Sequence, residues 1–240
     1  MGVVQAINRQ SASSPEVVRL LRAFVLRCLQ INLSFRAIHV PGSKRVVWLL
    51  GHSFIRRGAQ RAAVRREGMQ LGFLKERVLI KWFGFGGLLW PGVMDKVISL
   101  ARVESKPDVL VLHAGGNDMG AMSQWDLVRA MKWDVDKIRS LFGGVVIVWS
   151  EMIGRITWRW ARDMAAMERS RQKLNKLLGA FIRQSGGIVV RHKSLESRLP
   201  GYFAADRVHL SVVGTDIFNL DLADGIERAL ILMGGEACRA

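Results

Sequence analysis

Lys44-Arg45-Val46-Val47-Trp48-Leu49-Leu50-Gly51-His52-Ser53-Phe54-Ile55 is the stretch whose reading decides the fold. A basic pair leads into a short apolar run, which stops at a glycine and then presents a serine. A run that is apolar at every position suits a strand buried on both faces of a parallel sheet. Residues 54–67 have helical composition. A serine at such a strand-to-helix turn stands at the carboxyl end of the sheet, where open α/β folds bind their ligands. The first N–H groups of the helix also point there and favour negative charge. An N-cap role accounts for the same serine equally well, so the turn alone does not assign chemistry.

Working outward, the strand–helix unit recurs. The pattern predicts strands at 45–50, 77–83, 108–113, 144–149 and 187–191, and helices near 54–67, 88–102, 123–141, 160–185 and 212–232. Val109-Leu110-Val111-Leu112 and Val145-Val146-Ile147-Val148 are continuous apolar runs of the kind central strands carry. Five alternations predict an α/β fold: a five-stranded parallel sheet with helices on both faces and right-handed crossovers. Ahead of it, Ser14 can cap a helix from Pro15 to Leu29, and Ile31 to Ala37 alternates as a strand that ends at Pro41-Gly42. The expected organisation is an extension over 1–44, a domain over 45–234 and a tail over 235–240.

Half of the 240 residues are apolar, as in a globular chain. No run approaches the ~18 apolar residues of a spanning helix, and the N-terminus lacks the regions of a secretory signal. Cys28 and Cys238 stand in opposite terminal segments, which argues for a reducing, intracellular compartment, cytoplasmic or nuclear. The net charge of +16 and pI near 11.1 favour polyanions: nucleic acid first, an anionic membrane surface second. Arg57, Arg61 and Arg65 fall four apart on the expected helix, as one ridge with Arg56 and Arg66 beside it. A second group, Arg155, Arg159, Arg162, Arg169, Arg171, Lys173 and Lys176, has Trp158 and Trp160 interleaved. Arginine with aromatics binds phosphates and stacks bases, so Arg57, Arg61, Arg65, Arg155 and Arg159 are the nucleic-acid contact candidates. A plain solvated surface is the competing account. Trp48, Trp82 and Trp149 are expected in the core, and Trp90 in the core or lining an acyl pocket.

Each strand end carries something polar or glycine-rich. Gly51-His52-Ser53 follows the first strand, Gly84-Phe85-Gly86-Gly87 the second and Gly115-Gly116-Asn117-Asp118 the third; Asp206-Arg207-Val208-His209-Leu210-Ser211 precedes the last helix. In one parallel sheet these stretches converge on one rim. Ester hydrolysis by nucleophilic attack needs a hydroxyl, a base, a group that orients the base, and donors aimed at the developing oxyanion. Ser53, His209 and Asp206 fit the first three roles. The backbone N–H of Ser53, a glycine of the second loop and the Asn117 amide fit the last. Taken singly, His209 reads as a core histidine and Asn117-Asp118 as an Asx turn; taken together, they read as a site. His113 is expected to be structural, and His39 and His192 carry no assignment. Cys and His show no metal-ligand spacing, and the chemistry requires no cofactor.

In this order and on this strand pattern, the four blocks resemble those of the SGNH (GDSL-type) hydrolases, over roughly residues 45–234. The resemblance implies a three-layer, flavodoxin-like fold, with Ser53 as nucleophile and Asp206 and His209 completing a triad. It also implies Asn117 as an oxyanion donor, with Gly87 as its backbone companion and Gly86 the rival. The implied activity is a serine esterase acting on a small ester, acetyl or short acyl, through an acyl-enzyme intermediate. Ser211 is expected to cap the final helix. His52 departs from the family, which usually has Asp before the serine. A second resemblance covers Ser14-Pro15-Glu16-Val17-Val18-Arg19-Leu20-Leu21-Arg22 and Ile31 to Gly42, which look like the end of a retroelement RNase H domain without its acidic metal-binding residues. SGNH modules of some animal retrotransposons, Trp-rich and starting Gly-His-Ser, look like this chain. The alternative function is therefore a retroelement-derived, basic nucleic-acid-binding module with a vestigial hydrolase site; a carbohydrate or lipid deacylase on an anionic membrane stands third.

Overall fold

The computed structural model describes residues 44–197 and 199–234. The expected helix and strand at the head of the chain, with their RNase H-like resemblance, Cys28, His39 and Cys238, lie outside the described residues.

Five parallel strands, β1 (Arg45–Gly51), β2 (Val78–Gly84), β3 (Val109–His113), β4 (Val146–Ser150) and β5 (Ile188–Val190), form one sheet in the order β2-β1-β3-β4-β5. The helices are α1 (Ser53–Ala62), α2 (Val93–Ala101), α3 (Gln124–Leu141), α4 (Met164–Gln184), a short α5 (Lys193–Glu196) and α6 (Val212–Leu232). Alternate strand residues face opposite layers, as the pleat requires. Trp48, Leu50, Leu110, Leu112, Ile147 and Trp149 pack with α2, α3 and α4 on one face. Val47, Leu49, Val109, Val111, Val148 and Val190 pack with α1 and α6 on the other. Both faces being covered explains why the inner strands read as unbroken apolar runs, whereas the edge strand β2 is half-buried and carries Lys81, paired with Glu104.

From β1 the chain steps outward to β2, then returns across β1 to β3, so the direction of winding reverses between β1 and β3. Strand ends at such a reversal splay apart and leave a crevice. Ser53 opens α1 at that place.

Two glycines permit the close approach there. A Cβ on Gly51 would stand 2.1 Å from the His113 carbonyl oxygen, and one on Gly84 2.2 Å from the Arg56 backbone nitrogen. Any other residue would push the ends of β3 and β2 away from the serine turn.

The sequence places α1 over 54–67, but it ends at Ala62 and the chain continues in turns. Arg65 is therefore off the helix, and the three-arginine ridge does not form. Instead Arg61 grips Asp216 of α6 with two hydrogen bonds, at 2.8 and 2.7 Å, and Arg65 reaches the same carboxylate at 3.5 Å. Trp90 belongs to the core: it is buried, packs edge-on to Trp149 and donates its indole N–H to Asp134.

Candidate active site

The hairpin-like loop before α6 carries His209. Ala204 N donates to the His209 carbonyl and Ser211 N to that of Tyr202, while Ser211 Oγ accepts from Gly214 N at 3.1 Å and caps α6. Within the loop Arg207 adopts a left-handed conformation, φ 58°, which costs a non-glycine residue about 1 kcal/mol. Its carbonyl accepts from Ile156 N and Thr157 N, which tie the loop to the chain that leaves β4.

That geometry presents His209 to the serine. Ser53 Oγ lies 2.9 Å from His209 Nε2, and His209 Nδ1 lies 2.7 Å from Asp206 Oδ2. The other Asp206 oxygen accepts from the backbone N–H groups of Val208 (3.0 Å) and His209 (2.9 Å). Partial burial opposes the charge on Asp206, but the bonds from the His209 N–H and imidazole and from Val208 outweigh it and hold the carboxyl well below the usual carboxylate range. Asp206 is thus ionised at neutral pH and favours the tautomer with the proton on His209 Nδ1, leaving Nε2 as an acceptor facing Ser53 Oγ.

A cleft of about 600 Å³ opens over Ser53, with Gly86, Gly87, Asn117, Asp206 and His209 in its wall. The N–H groups of Ser53, Gly86 and Gly87 have no acceptor among the described residues. Asn117 Nδ2 gives one hydrogen to the Leu88 carbonyl at 3.0 Å, leaving the other, and Asn117 Oδ1 accepts from Arg155 Nη2 at 3.1 Å. Asp118 is buried and takes the Trp90 N–H on its carboxylate at 3.0 Å, clamping the glycine loop against the Asn117 loop. Burial pushes the Asp118 carboxyl up, against the pull of that N–H.

The remaining wall is the segment between β4 and α4. Arg171 of α4 is 1% exposed and bonds Glu168, Glu196 and the Met152 carbonyl, and Asn175 brackets Met152 from both sides. Arg171, grouped by sequence with the surface cations, is therefore an interior anchor of this wall. Arg155 is likewise inside, stacked on Trp158 at 4.8 Å, and burial pulls its guanidinium down to about 10. Of the five nucleic-acid candidates, Arg159 alone is exposed and without a carboxylate partner among the described residues, since Arg57 stands 3.8 Å from Asp206.

A second Ser–His–Asp array lies beneath. Ser150 Oγ is 2.8 Å from His192 Nε2, whose Nδ1 is 2.8 Å from Asp221, and His113 Nδ1 meets Ser150 Oγ at 2.8 Å. Ser150 is fully buried, whereas Ser53 lines the cleft. Access, more than hydrogen-bond geometry, separates Ser53 from Ser150.

No protein-family model matches the sequence, and no curated protein matches it. Solved structures do. A member of the lipolytic G-D-S-L family from Veillonella parvula matches at 15% identity and TM-score 0.57, over 75% of this chain and 97% of that one. A GDSL-like lipase from Bacteroides thetaiotaomicron matches at 19% identity and TM-score 0.57, over 85% and 97%. The lipase/acylhydrolase from Enterococcus faecalis matches at 15% identity and TM-score 0.56, over 82% and 100%. The fold is that of the GDSL, or SGNH, hydrolases.

His52, the departure in the first SGNH block, caps α1: its Nδ1 accepts from Phe54 N at 3.4 Å. Its ring packs edge-on to Phe54 and His113. Burial holds His52 well below the ordinary histidine range, and Arg155 and His209 add to this; burial does the same to His113, with His52 and His192 adding. Both imidazoles are therefore neutral and must take up protons on unfolding. Their contribution to stability is complete above the unfolded value near 6.5 and declines as pH falls below it. Urea denaturation should show unfolding free energy dropping between pH 6.5 and 5 by up to about 1.4 kcal/mol per unit for each histidine. A flat profile across that window would mean that the two rings are not held neutral.

Sequence reasoning missed Asp118 as a clamp, Arg155 as a cleft residue and the His113–Ser150–His192–Asp221 chain. The signal for Asp118 was its place in the third block. For the others no local signal exists, because their partners come from distant elements.

Proposed function

We propose that the chain is a serine esterase that hydrolyses a small ester, acetyl or short acyl, through an acyl-enzyme intermediate. The observation that carries this reading is the Ser53–His209–Asp206 hydrogen-bond chain at the floor of an open cleft. His209 Nε2 takes the Ser53 proton as Oγ attacks the ester carbonyl, and Asp206 stabilises the imidazolium. The carbonyl oxygen, now negative, is met by the Ser53 and Gly87 N–H groups and the free Asn117 Nδ2 hydrogen, with Gly86 the rival donor. The imidazolium returns its proton to the leaving alkoxide, giving the alcohol and the acyl-serine. Water then attacks the acyl-serine with the same base, releasing the acid.

Leu89, Met119, Ala121, Trp158 and Trp160 supply the apolar part of the cleft, in keeping with a short acyl chain. Turnover of p-nitrophenyl esters from acetate to octanoate should show saturable kinetics with kcat/KM highest at the short end. Equal, non-saturable rates across the series would contradict the reading.

The +16 charge favours a second reading, a retroelement-derived module whose basic surface binds nucleic acid, supported also by the RNase H-like resemblance of residues 14–42. Binding to single-stranded oligonucleotide that falls steeply with salt would support it, and salt-independent or absent binding would sink it.

A further inference from the structure

Arg155 is buried to within 8% of full enclosure yet lines the cleft, and none of the carboxylates among the described residues pairs with it. Arg171, the other buried arginine, is wrapped by Glu168 and Glu196. A guanidinium removed from water without a counter-charge is unfavourable unless something supplies one. Arg155 gives one N–H to Asn117 Oδ1, on the amide's oxygen side, and keeps its remaining donors. Two more arginines without carboxylate partners among the described residues line the same cleft: Arg56 and Arg159. The Arg56 guanidinium stands beside Gly86, 3.4 Å from where a Cβ there would sit, and Arg159 lies over Trp160 at 6.0 Å. Among the described residues the one carboxylate in the lining, Asp206, is engaged by His209. A neutral ester requires none of these three cations.

We propose that the cleft contains a subsite for an anionic group, phosphate or carboxylate, carried by the ester substrate, with Arg155 as its buried anchor and Arg56 and Arg159 at its rim. The proposal rests on the esterase reading of the same cleft, but binding tests it separately from turnover. Guanidinium groups recognise these anions with paired N–H donors, and the enclosure of Arg155 strengthens the attraction by limiting solvent screening. Arg155 is also a positioning residue, since its bond to Oδ1 turns the Asn117 Nδ2 donor toward the reacting carbonyl.

The test uses the Ser53→Ala protein and the fluorescence of Trp158 and Trp160 to follow binding of 1-acetylglycerol and 1-acetylglycerol 3-phosphate. The phosphate should bind about tenfold to a hundredfold tighter. Arg155→Met should erase most of that preference, and the Arg56→Gln/Arg159→Gln double variant, at exposed positions, should reduce it without affecting folding. Affinity for the neutral compound should change little. Equal binding of the two ligands, or a preference that survives both variants, would overturn the subsite. Turnover of neutral esters without any phosphate preference would remove the subsite and leave the esterase. Phosphate preference without turnover would do the reverse. A hexadecyl-ether analogue of the phosphate in micelles separates the sources of the anion: tighter binding than the soluble compound, lost in Arg155→Met, assigns a lipid phosphate, and equal binding assigns a soluble one.

Discussion

Replacing Ser53 with alanine should lower kcat on a short p-nitrophenyl ester by as much as roughly a millionfold, the scale set by removing the nucleophile of a Ser–His–Asp site. Among the described residues, Ser53 carries the one hydroxyl of the cleft lining, and it meets the His209 imidazole at 2.9 Å. No other side chain of the lining among the described residues offers a hydroxyl to replace it. The oxyanion donors would survive the substitution, so a residual acceleration of about a thousandfold over water is expected. Folding should be little affected, because the variant gives up one hydrogen bond, worth about 1 kcal/mol. Parallel thermal melts and rate measurements check both halves. A kcat within tenfold of the unsubstituted protein would show that Ser53 is not the nucleophile.

The second large effect is expected at Asp206. Asp206→Asn should cost about ten-thousandfold in kcat while leaving KM nearly unchanged. The amide that replaces Oδ2 would donate to His209 Nδ1, which forces the imidazole proton onto Nε2. That nitrogen then faces the Ser53 hydroxyl as a donor and cannot accept its proton. The backbone donations from Val208 and His209 can still be received by the remaining amide oxygen, so the loop should keep its shape. Asp206→Glu, which retains the charge but displaces it, should fall between the two. A full-activity Asp206→Asn protein would show that the carboxylate orients nothing.

The fold was legible because the inner strands are apolar runs, burial on both faces removing any alternation, and because even β2, interrupted by Lys81, keeps apolar residues on either side of it. Three of the five expected helices lie within a few residues of their observed ends; the exceptions are the first, and the one beginning at Val93, where residues 88–92 form a loop and a single tight turn instead. The overlong first helix is a failure of composition: residues 63–67 are good helix formers, yet the chain turns away after Ala62 to bring Arg65 to Asp216. Asp216 lies some 150 residues downstream, and no local pattern announces it. The meeting of the candidate residues was legible through the order of the four blocks, three at strand ends and one ahead of the last helix. The charge pattern was not. Arg171 and Arg155 read as surface cations because burial depends on Glu168, Glu196, Met152, Asn117 and Trp158 arriving from four different segments. The unassigned His192 and the structural His113 likewise gained meaning only when Ser150 and Asp221 were seen between and beyond them.

In the proposed reaction Ser53, and no other hydroxyl, forms a covalent bond to the substrate. Treatment with a fluorophosphonate, followed by intact-mass measurement and peptide mapping, tests it most directly. One phosphonyl group should be added per chain, located on the peptide that contains Ser53, and absent when His209 is replaced by glutamine. No adduct, or an adduct on Ser150 of the buried array, would contradict the account.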